Sequence, residues 1–515
     1  MEALQLQFLY LLPPLFLTLY TITHHFLNKY LNLPPTPFPI LPILGHLHFF
    51  FFFTKSTTLH RSLSQISRRR GPILLLRLGS RPVLLVSSPS AAQECLVKND
   101  VVFADRPNLL NGKHFGYNFT SLAWAPYGGH WRNLRRISTL ELLSARRIHA
   151  LAGVRADESR SLVQKLIAIG DDDDVDLRKL FFEHVYNAVM RMITGEEAAE
   201  EEEEEGWEVF GGIVAEMTEV TLEANVVDFV PLVGRLFGIG DCVERKMSFV
   251  QEKRERFMEN VIEKHRRKKK EDEDGMEKSL IQFLLDLQRE EPEYYTDQTI
   301  RNLLLVLLQG ATHATSATLE WAFSHLLQNP HILTRARFHI DNHLIGKERH
   351  LITESEVAQI PYLHLIINET LRMHPPAPLL TPHLSSQECT IGGFRVPRGT
   401  MLLVNAWDIH NNPETWENPN EFLPERFEGV GKNNKNGFDF LPFGWGRRGC
   451  PGEKLAVAMI GAVLGCLIQC FEWERVGGGE IDMREGKGVI TTRVQPLKAK
   501  CCPRSFLVDH SSFLK

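Results

Sequence analysis

The chemically most distinctive part of the chain is the loop of residues 443–452, which reads Phe-Gly-Trp-Gly-Arg-Arg-Gly-Cys-Pro-Gly. Its cysteine, Cys450, can supply a thiolate, a soft ligand that pushes electron density onto haem iron and favours O–O cleavage. Gly446 and Gly452 allow the backbone to turn sharply and to pass close to a flat macrocycle, where a Cβ atom would collide. The residue types around Cys450 therefore suit a thiolate bound to haem iron.

Two further residues of this loop, and the segment after it, suit the same chemistry. Arg448 can offer a cation to a haem propionate, and Phe443 can pack beside the sulfur and restrict water. Pro451 opens an apolar segment, residues 455–467, which is typical of a helix whose N-terminus points toward the thiolate and stabilises its charge. The alternative is a buried structural cysteine in a glycine turn. Five residues of suitable type within one ten-residue loop argue against that alternative.

The loop matches the haem-binding signature of the cytochrome P450 family, Phe-x-x-Gly-x-Arg-x-Cys-x-Gly, without a mismatch. Three more family elements precede it, in the order that the family has. Glu369 and Arg372 fit Glu-x-x-Arg, and Arg426 lies in a Pro-Glu-Arg-Phe sequence. Trp131 and Arg135 resemble the Trp-x-x-x-Arg element of the helix that touches the haem edge. Each short element alone is a weak pattern, but four in order are specific, so the chain is similar to the cytochromes P450.

The resemblance implies a mainly α-helical fold with small β-sheets and a haem b whose iron is bound by Cys450. It also implies a reaction that uses O2 and electrons delivered from NADPH by NADPH–cytochrome P450 reductase. Four basic residues would make the cysteine side of the haem positive, which suits an acidic reductase. These residues are Arg132, Arg136, Arg447 and Lys454.

The resemblance also assigns supporting roles around the haem. Three residues would bond the haem propionates: Trp131, Arg135 and Arg448. Glu369 and Arg372 stand three positions apart and so share one helix face. In the family this pair meets the arginine that corresponds to Arg426 in a buried triad, which supports the loop that carries Cys450. The role of the triad is structural, because it retains the haem rather than taking part in chemistry.

Length and composition indicate one large unit. From its length alone, a chain of 515 residues would be expected to form about three domains. The motifs that must meet at one haem run from Trp131 to Cys450, so we predict one catalytic domain over residues 46–515. The net charge of −5 gives no indication of nucleic-acid binding. The eight cysteines form neither a disulfide framework nor paired Cys-x-x-Cys metal ligands, which fits a reducing compartment.

The first 45 residues predict where the protein resides. Residues 3–28 contain no Asp, Glu, Lys or Arg, and these 26 residues exceed the roughly 20 that cross a bilayer as a helix. We therefore predict a transmembrane anchor over residues 1–28 and a stiff proline-rich hinge over residues 29–45. A cleaved signal peptide is the alternative, but no basic residue precedes the run and no small-x-small site follows it. Glu2 before the run and Lys29 after it favour a single-pass protein with a cytosolic catalytic domain. An anchor followed by such a hinge resembles the microsomal members of the family, which implies the endoplasmic reticulum membrane.

A long helix is predicted after Thr296, because no proline follows until Pro330. In the family this helix crosses the other face of the haem and carries an acid followed by a threonine, which organise water and deliver protons. Counting back from the Leu-Glu-Trp sequence that follows, His313 takes the position of the acid and Ala314 that of the threonine. A histidine can relay protons near neutral pH, or it can simply be a water-bonded groove residue. A register shifted by one residue would instead put Thr315 at the alcohol position, about 100° round the helix.

Several segments narrow the resemblance to the plant A-type enzymes: residues 125–136, 405–410 and 443–448. Within these enzymes, residues 379–386 and 404–407 resemble the group that contains isoflavone hydroxylases and methylenedioxy-bridge-forming lignan synthases. Some bridge-forming members also have alanine in place of the helix threonine, which favours oxidative ring closure. The segments where family pockets form are mostly apolar and predict a hydrophobic phenolic or alkaloid substrate. They are residues 109–122, 217–229, 307–315, 377–381 and 489–492.

Three classes of function fit these patterns. The first is a reductase-driven monooxygenase or oxidative cyclase. The second is a haem-thiolate isomerase or lyase that needs no electrons, which the unusual pair of His313 and Ala314 keeps open. The third is a haem-binding membrane protein without catalysis. The complete cysteine loop and the basic residues near it favour the first, because an electron-independent enzyme needs no surface for a reductase.

Overall fold

The computed structural model describes residues 2–49, 58–170, 173–195, 200–236, 238–268, 278–347, 350–429 and 437–508. The α-helices are α1 Glu2–Tyr30, α2 Leu59–Arg70, α3 Pro89–Gln93, α4 Leu110–Lys113, α5 Gly129–Ser138, α6 Ala145–Ala150, α7 Ala152–Ile169, α8 Leu177–Thr194, α9 Glu200–Phe229, α10 Pro231–Leu236, α11 Ile239–Lys268, α12 Leu280–Glu290, α13 Asp297–Gln328, α14 Pro330–Leu344, α15 Glu354–Val357, α16 Pro361–Met373, α17 Ala406–His410, α18 Glu453–Cys470 and α19 Ser505–Val508. Short π-helical turns cover Glu94–Lys98 and Thr139–Leu143, and 3₁₀ turns cover Pro424–Phe427 and Gly446–Arg448.

The strands form three small sheets. They are β1 Ile73–Leu78, β2 Arg81–Val86, β3 Val175–Asp176, β4 His383–Leu384, β5 Cys389–Ile391, β6 Phe394–Val396, β7 Met401–Val404, β8 Phe471–Arg475 and β9 Lys498–Pro503. The first sheet has the order β1-β2-β7-β4, the second β3-β9-β8, and β5 pairs with β6. In the first sheet β2 runs antiparallel to β1 and parallel to β7, with Leu84 opposite Leu402. The prediction of a mainly α-helical fold with small sheets is confirmed.

The long helix α13 passes through the middle of the largest hydrophobic core. It begins where predicted, because the Thr296 side chain caps it by accepting a hydrogen bond from the Thr299 amide, 3.2 Å. Its C-terminal half is buried on all sides and packs against α8, where the rings of Phe181 and Phe323 lie 5.4 Å apart. Helix α18 joins the same core, so the element that follows Cys450 and the element that carries His313 are parts of one packed unit.

Among the helices that could be tested for membrane spanning within the described residues, α18 alone is long and apolar enough. Most of α18 is buried inside the protein, so its apolar character serves the core. The transmembrane anchor predicted over residues 1–28 coincides with α1, but the side chains of residues 2–13 lie outside the described part. The anchor therefore stays a prediction.

The proline-rich segment predicted as a hinge is attached to the first sheet over much of its length. The Leu75 amide of β1 donates to the Pro35 carbonyl oxygen, 2.9 Å, and the His46 amide donates to the Arg77 carbonyl oxygen, 2.6 Å. The His46 ring is buried and accepts from the Arg77 amide at Nδ1, 2.7 Å, so its Nε2–H donates to the Pro37 carbonyl oxygen, 2.9 Å. Burial lowers the pKa of His46 to about 4, which keeps this ring neutral.

Candidate active site

Cys450 lies at the end of a tightly constrained loop. Its amide donates to the carbonyl oxygen of Phe443, 2.8 Å, which closes the loop on itself. Gly446 has φ +74°, and a Cβ atom there would come within 2.6 Å of the Leu96 carbonyl oxygen and of Asp100 Oδ1. Only glycine fits that position, because both the left-handed backbone and the close approach exclude a side chain.

The surroundings of Cys450 act on the pKa of its thiol in opposite directions. The residue keeps an exposed surface, yet the protein packed around it removes enough water that desolvation raises the pKa of its thiol. The backbone amides of Gly452 and Glu453, at the start of α18, act against that rise, and so does the charge of Arg135. Cys450 would therefore have to lose a proton in order to hold a metal as a thiolate.

Three charged side chains behind this loop form one buried cluster. Both Glu369 and Arg372 are 0% exposed. Arg372 donates from Nε and Nη2 to the two carboxylate oxygens of Glu369, 2.7 and 2.8 Å, which is the two-point geometry of a strong ion pair. Arg426 adds a third bond from Nε to Glu369 Oε1, 2.9 Å. The Leu423 amide donates to the same oxygen, 3.0 Å, so the carboxylate has four donors.

A histidine that the sequence analysis did not single out connects this triad to the cysteine loop. Arg372 Nη1 donates to the carbonyl oxygen of His410, 2.9 Å, and the ring of His410 accepts at Nε2 from the amide of Leu441, 2.7 Å. Leu441 lies two residues before Phe443. Burial, aided by the charge of Arg372, lowers the pKa of His410 to about 3, so the ring is a neutral acceptor. The only signal in the sequence was the position of His410 in a segment that resembles the family.

The residues predicted at the haem propionates lie together. The guanidinium of Arg448 stacks over the ring of Trp131, 4.5 Å from its centroid. Arg448 also donates to the carbonyl oxygens of Ala104, 2.6 Å, and Ala125. The indole nitrogen of Trp131 donates to the Leu122 carbonyl oxygen, 3.1 Å. These backbone contacts position both side chains. Arg135, from the same helix α5 as Trp131, lies near enough to Cys450 to influence its pKa.

Helix α13 presents one partly open face within an otherwise buried region. Gly310 is exposed, and His313 and Ala314 are partly exposed, at spacings of three and four residues that align them on one face. Thr315 is only 3% exposed and lies on the buried side. The family threonine position thus falls on the partly exposed face in the register of Ala314 and on the buried side in the shifted register. Burial, with a contribution from Arg178, lowers the pKa of His313 to about 4, so this ring is neutral near pH 7.

Hydrogen bonds connect several of the segments predicted to form a substrate pocket, or residues next to them. Thr221 donates from Oγ1 to Asn111 Oδ1, 3.1 Å, and the Leu110 amide donates to the Asp228 carboxylate, 3.0 Å, which joins residues 109–122 to residues 217–229. On another side the Thr491 amide donates to the Pro376 carbonyl oxygen, 2.9 Å. The fold thus brings together pieces that lie far apart in the chain.

The basic surface near Cys450 is smaller than the sequence suggests. Arg447 pairs with the Asp100 carboxylate and donates to the Tyr127 hydroxyl, 2.9 Å, so most of its charge is compensated. Arg132, Arg136 and Lys454 are exposed. The cationic surface that a partner could meet therefore consists mainly of these three residues.

A cysteine just before a helix N-terminus, with arginines and an indole near it, is an arrangement that suits a haem-thiolate protein. The chain matches the cytochrome P450 family over residues 34–501, and it belongs to that family. It is 43% identical to cytochrome P450 81D1 of Arabidopsis thaliana, over 92% of this chain and 93% of that protein. It is 41% identical to an isoflavone 2'-hydroxylase of Glycyrrhiza echinata, over 93% of each chain. It is 38% identical to (+)-piperitol/(+)-sesamin synthase CYP81Q2 of Sesamum radiatum, over 93% and 92%.

Membership of this family makes the protein a cytochrome P450 monooxygenase with a haem iron cofactor. The residues present fit that cofactor, since a soft thiolate donor and nearby cations match an iron porphyrin with two carboxylates. Cys450 would hold the iron, and Arg135, Arg448 and Trp131 would lie near the propionates.

Proposed function

We propose that this protein oxidises a hydrophobic phenolic or related specialised metabolite of a plant, by hydroxylation or by oxidative ring closure. The observation that carries the proposal is the partly open face of α13, where His313 and Ala314 replace an acid and a threonine. Relatives named isoflavone 2'-hydroxylase and (+)-piperitol/(+)-sesamin synthase support both the substrate class and the two outcomes. An alkaloid of similar shape is the alternative substrate.

The two reactions consume the same reactants and differ in their products. Hydroxylation consumes one O2, one NADPH and one proton, and yields a hydroxylated product, one water and NADP⁺. Closure of a methylenedioxy ring from an ortho-methoxyphenol uses the same reactants, removes two hydrogen atoms from the substrate and yields two waters. Bound haem supplies the oxygen chemistry in both cases. The side chains of the protein bind the substrate, exclude water and supply protons.

The proton supply in this proposal depends on His313. Its ring is neutral near pH 7, so it can accept a proton at one nitrogen and donate one at the other. Ala314 has no hydroxyl, and therefore the second member of the usual relay is absent at that position. Some bridge-forming members of the group that the sequence resembles also have alanine at this position, which favours ring closure as an outcome.

We further propose that electrons reach the site from NADPH–cytochrome P450 reductase at the basic surface formed by Arg132, Arg136 and Lys454. Their exposure supports this role, since exposed cations steer an acidic partner more than they add affinity. Reversing the charge of Lys454 to Glu should slow reduction at low ionic strength and matter less at high ionic strength. The control is the same reversal of charge at Arg395, an exposed cation paired with Glu388.

The location in this proposal is the endoplasmic reticulum membrane, with residues 1–28 as a single anchor and residues 46–515 on the cytosolic side. The uncharged run and the basic Lys29 at the end of α1 support it. Protease added to intact microsomes should digest the catalytic domain and leave a short protected fragment. Protection of the whole chain would contradict this orientation.

The central experiment measures NADPH consumption and products with a plant reductase. Isoflavones and furofuran lignans with ortho-methoxyphenol rings are the test compounds. Hydroxylation adds one oxygen atom to the product, whereas ring closure removes two hydrogen atoms, and mass spectrometry separates these results. Conversion without NADPH would instead support the electron-independent isomerase or lyase. Binding without any conversion would support a haem protein that does no catalysis.

A further inference from the structure

Arg254 of α11 is a buried cation without a carboxylate partner. It is 3% exposed, and no ion pair forms with it among the described residues. Its guanidinium donates to uncharged acceptors: Gln251 Oε1 at 2.6 Å, the Phe115 carbonyl oxygen at 3.3 Å and Gln309 Oε1 at 3.3 Å. Burial lowers the pKa of Arg254 to about 10, so it stays charged near pH 7. A buried charge with so little compensation is costly and needs an explanation.

Beside Arg254 lie a carboxylate that does not pair with it and a hydroxyl without a hydrogen-bond partner. Among the described residues, Glu255 is the carboxylate whose charge acts on Arg254, but its hydrogen bond comes from the Gln251 amide, 2.9 Å. The Tyr117 hydroxyl is buried and lacks a hydrogen bond of ordinary geometry, although Gln251 lies close enough to affect its pKa. Burial raises the pKa of Tyr117 to about 12, so this hydroxyl remains a donor. A group that completed this cluster would have to be a hydrogen-bond acceptor.

The cluster lies where three pocket-forming segments meet. Phe115 belongs to residues 109–122, and Gln309 stands on α13 one residue before the exposed Gly310. The Gln309 amide also reaches Met217 Sδ, 3.3 Å, on α9. Gln309 is itself only partly buried, so it connects the buried guanidinium to the open side of the helix.

We propose that Arg254, with Gln309 and Tyr117, forms a polar anchor that binds an acceptor oxygen of the substrate, best a phenolic oxygen with negative character. This inference rests on the proposed function and refines it, since it specifies how an otherwise apolar pocket orients a phenol. A phenolate supplies the missing charge, whereas a methyl ether offers only a weak acceptor. The anchor therefore selects substrates that carry a free phenol.

The test compares matched ligands on the full-length protein loaded with haem. The probes are 7-hydroxyisoflavone with 7-methoxyisoflavone, and 4-phenylphenol with 4-methoxybiphenyl. Dissociation constants come from the Soret shift and from equilibrium dialysis. In at least one pair the unchanged protein should bind the phenol roughly 10- to 100-fold more tightly than the ether, the range expected for a hydrogen bond to a charged group. Arg254→Met should reduce this ratio to within about threefold, and Arg254→Lys should retain part of it.

Arg256→Met is the control, because Arg256 lies on the same helix, is 78% exposed, and should leave the ratio unchanged. The unfolding midpoint separates a binding role from a structural one. Removing an uncompensated buried charge should leave the midpoint of Arg254→Met equal or raise it. A lowered midpoint with an unchanged ratio would make Arg254 a structural link and overturn the inference. If the unchanged protein bound phenols and ethers equally, the polar anchor would be wrong but the proposed function would stand. If none of the four probes bound, the proposal of a phenolic substrate would be contradicted too.

Discussion

Glu369→Ala is the most direct test of how the cysteine loop is supported. The substitution removes the one carboxylate of the triad and leaves Arg372 fully buried. The remaining partners of Arg372 are carbonyl oxygens, those of His410 and Pro419 at 2.9 Å each, and these do not neutralise its charge. Removing one member of a buried ion pair costs about 3–5 kcal/mol. That is a large part of the roughly 5–15 kcal/mol by which a domain is stable.

The same geometry predicts a smaller loss of stability for a second variant. Arg426→Ala leaves Glu369 paired with Arg372 at two points, and the Arg426 side chain is partly accessible. The loss should therefore be smaller, about 1.5–3 kcal/mol for the charged hydrogen bond to Glu369, because the other bonds of Arg426 go to backbone carbonyl oxygens at exposed positions. Glu388→Ala breaks a pair of similar length on the surface, 2.8 Å to Arg395, and should leave stability unchanged within error.

Haem content and denaturant unfolding measure these effects together. The absorbance of the reduced carbonyl complex per mole of protein should be lost in Glu369→Ala, reduced in Arg426→Ala and normal in Glu388→Ala. Urea midpoints should follow the same order. Full haem content and a normal midpoint in Glu369→Ala would refute the reasoning, since they would mean that Arg372 is not left with an uncompensated charge.

Three other changes test the site itself. Cys450→Ala should abolish the red-shifted Soret band of the reduced carbonyl complex, and a variant that kept this band would contradict the assignment of the iron ligand. Ala314→Thr should raise simple hydroxylation relative to ring closure at equal NADPH turnover, while Thr315→Ala, on the buried side of the helix, should alter products less; the reverse pattern would support the shifted register. His410 should contribute to acid sensitivity, because its pKa is about 3 in the folded protein and near 6.5 when unfolded. Below pH 6.5 the unfolded state binds the extra proton, so stability should fall with pH down to about 3, and His410→Gln should flatten that dependence.

Much of the site could be predicted from the sequence because its key residues lie close together in the chain. The cysteine loop spans ten residues, and the pair of Glu369 and Arg372 shares one helical turn. Thr296 caps α13 through an amide three residues away. Such features depend on local backbone geometry and on side-chain chemistry, which a short stretch of sequence specifies. Family resemblance then related these separate pieces to one haem.

Contacts between distant parts of the chain were decided by the tertiary structure alone. Asp100 compensates Arg447, 347 residues away, which reduces the basic surface that composition suggests. The ring of His410 meets the amide of Leu441, and the proline-rich segment expected as a hinge packs on β1. The pattern of a single helix could not tell which side of α13 stays open, because His313 and Thr315 are both polar. Packing of α8 and α18 around the helix determines that side, and the approach of α11 leaves Arg254 buried beside it with no ion pair to any described residue.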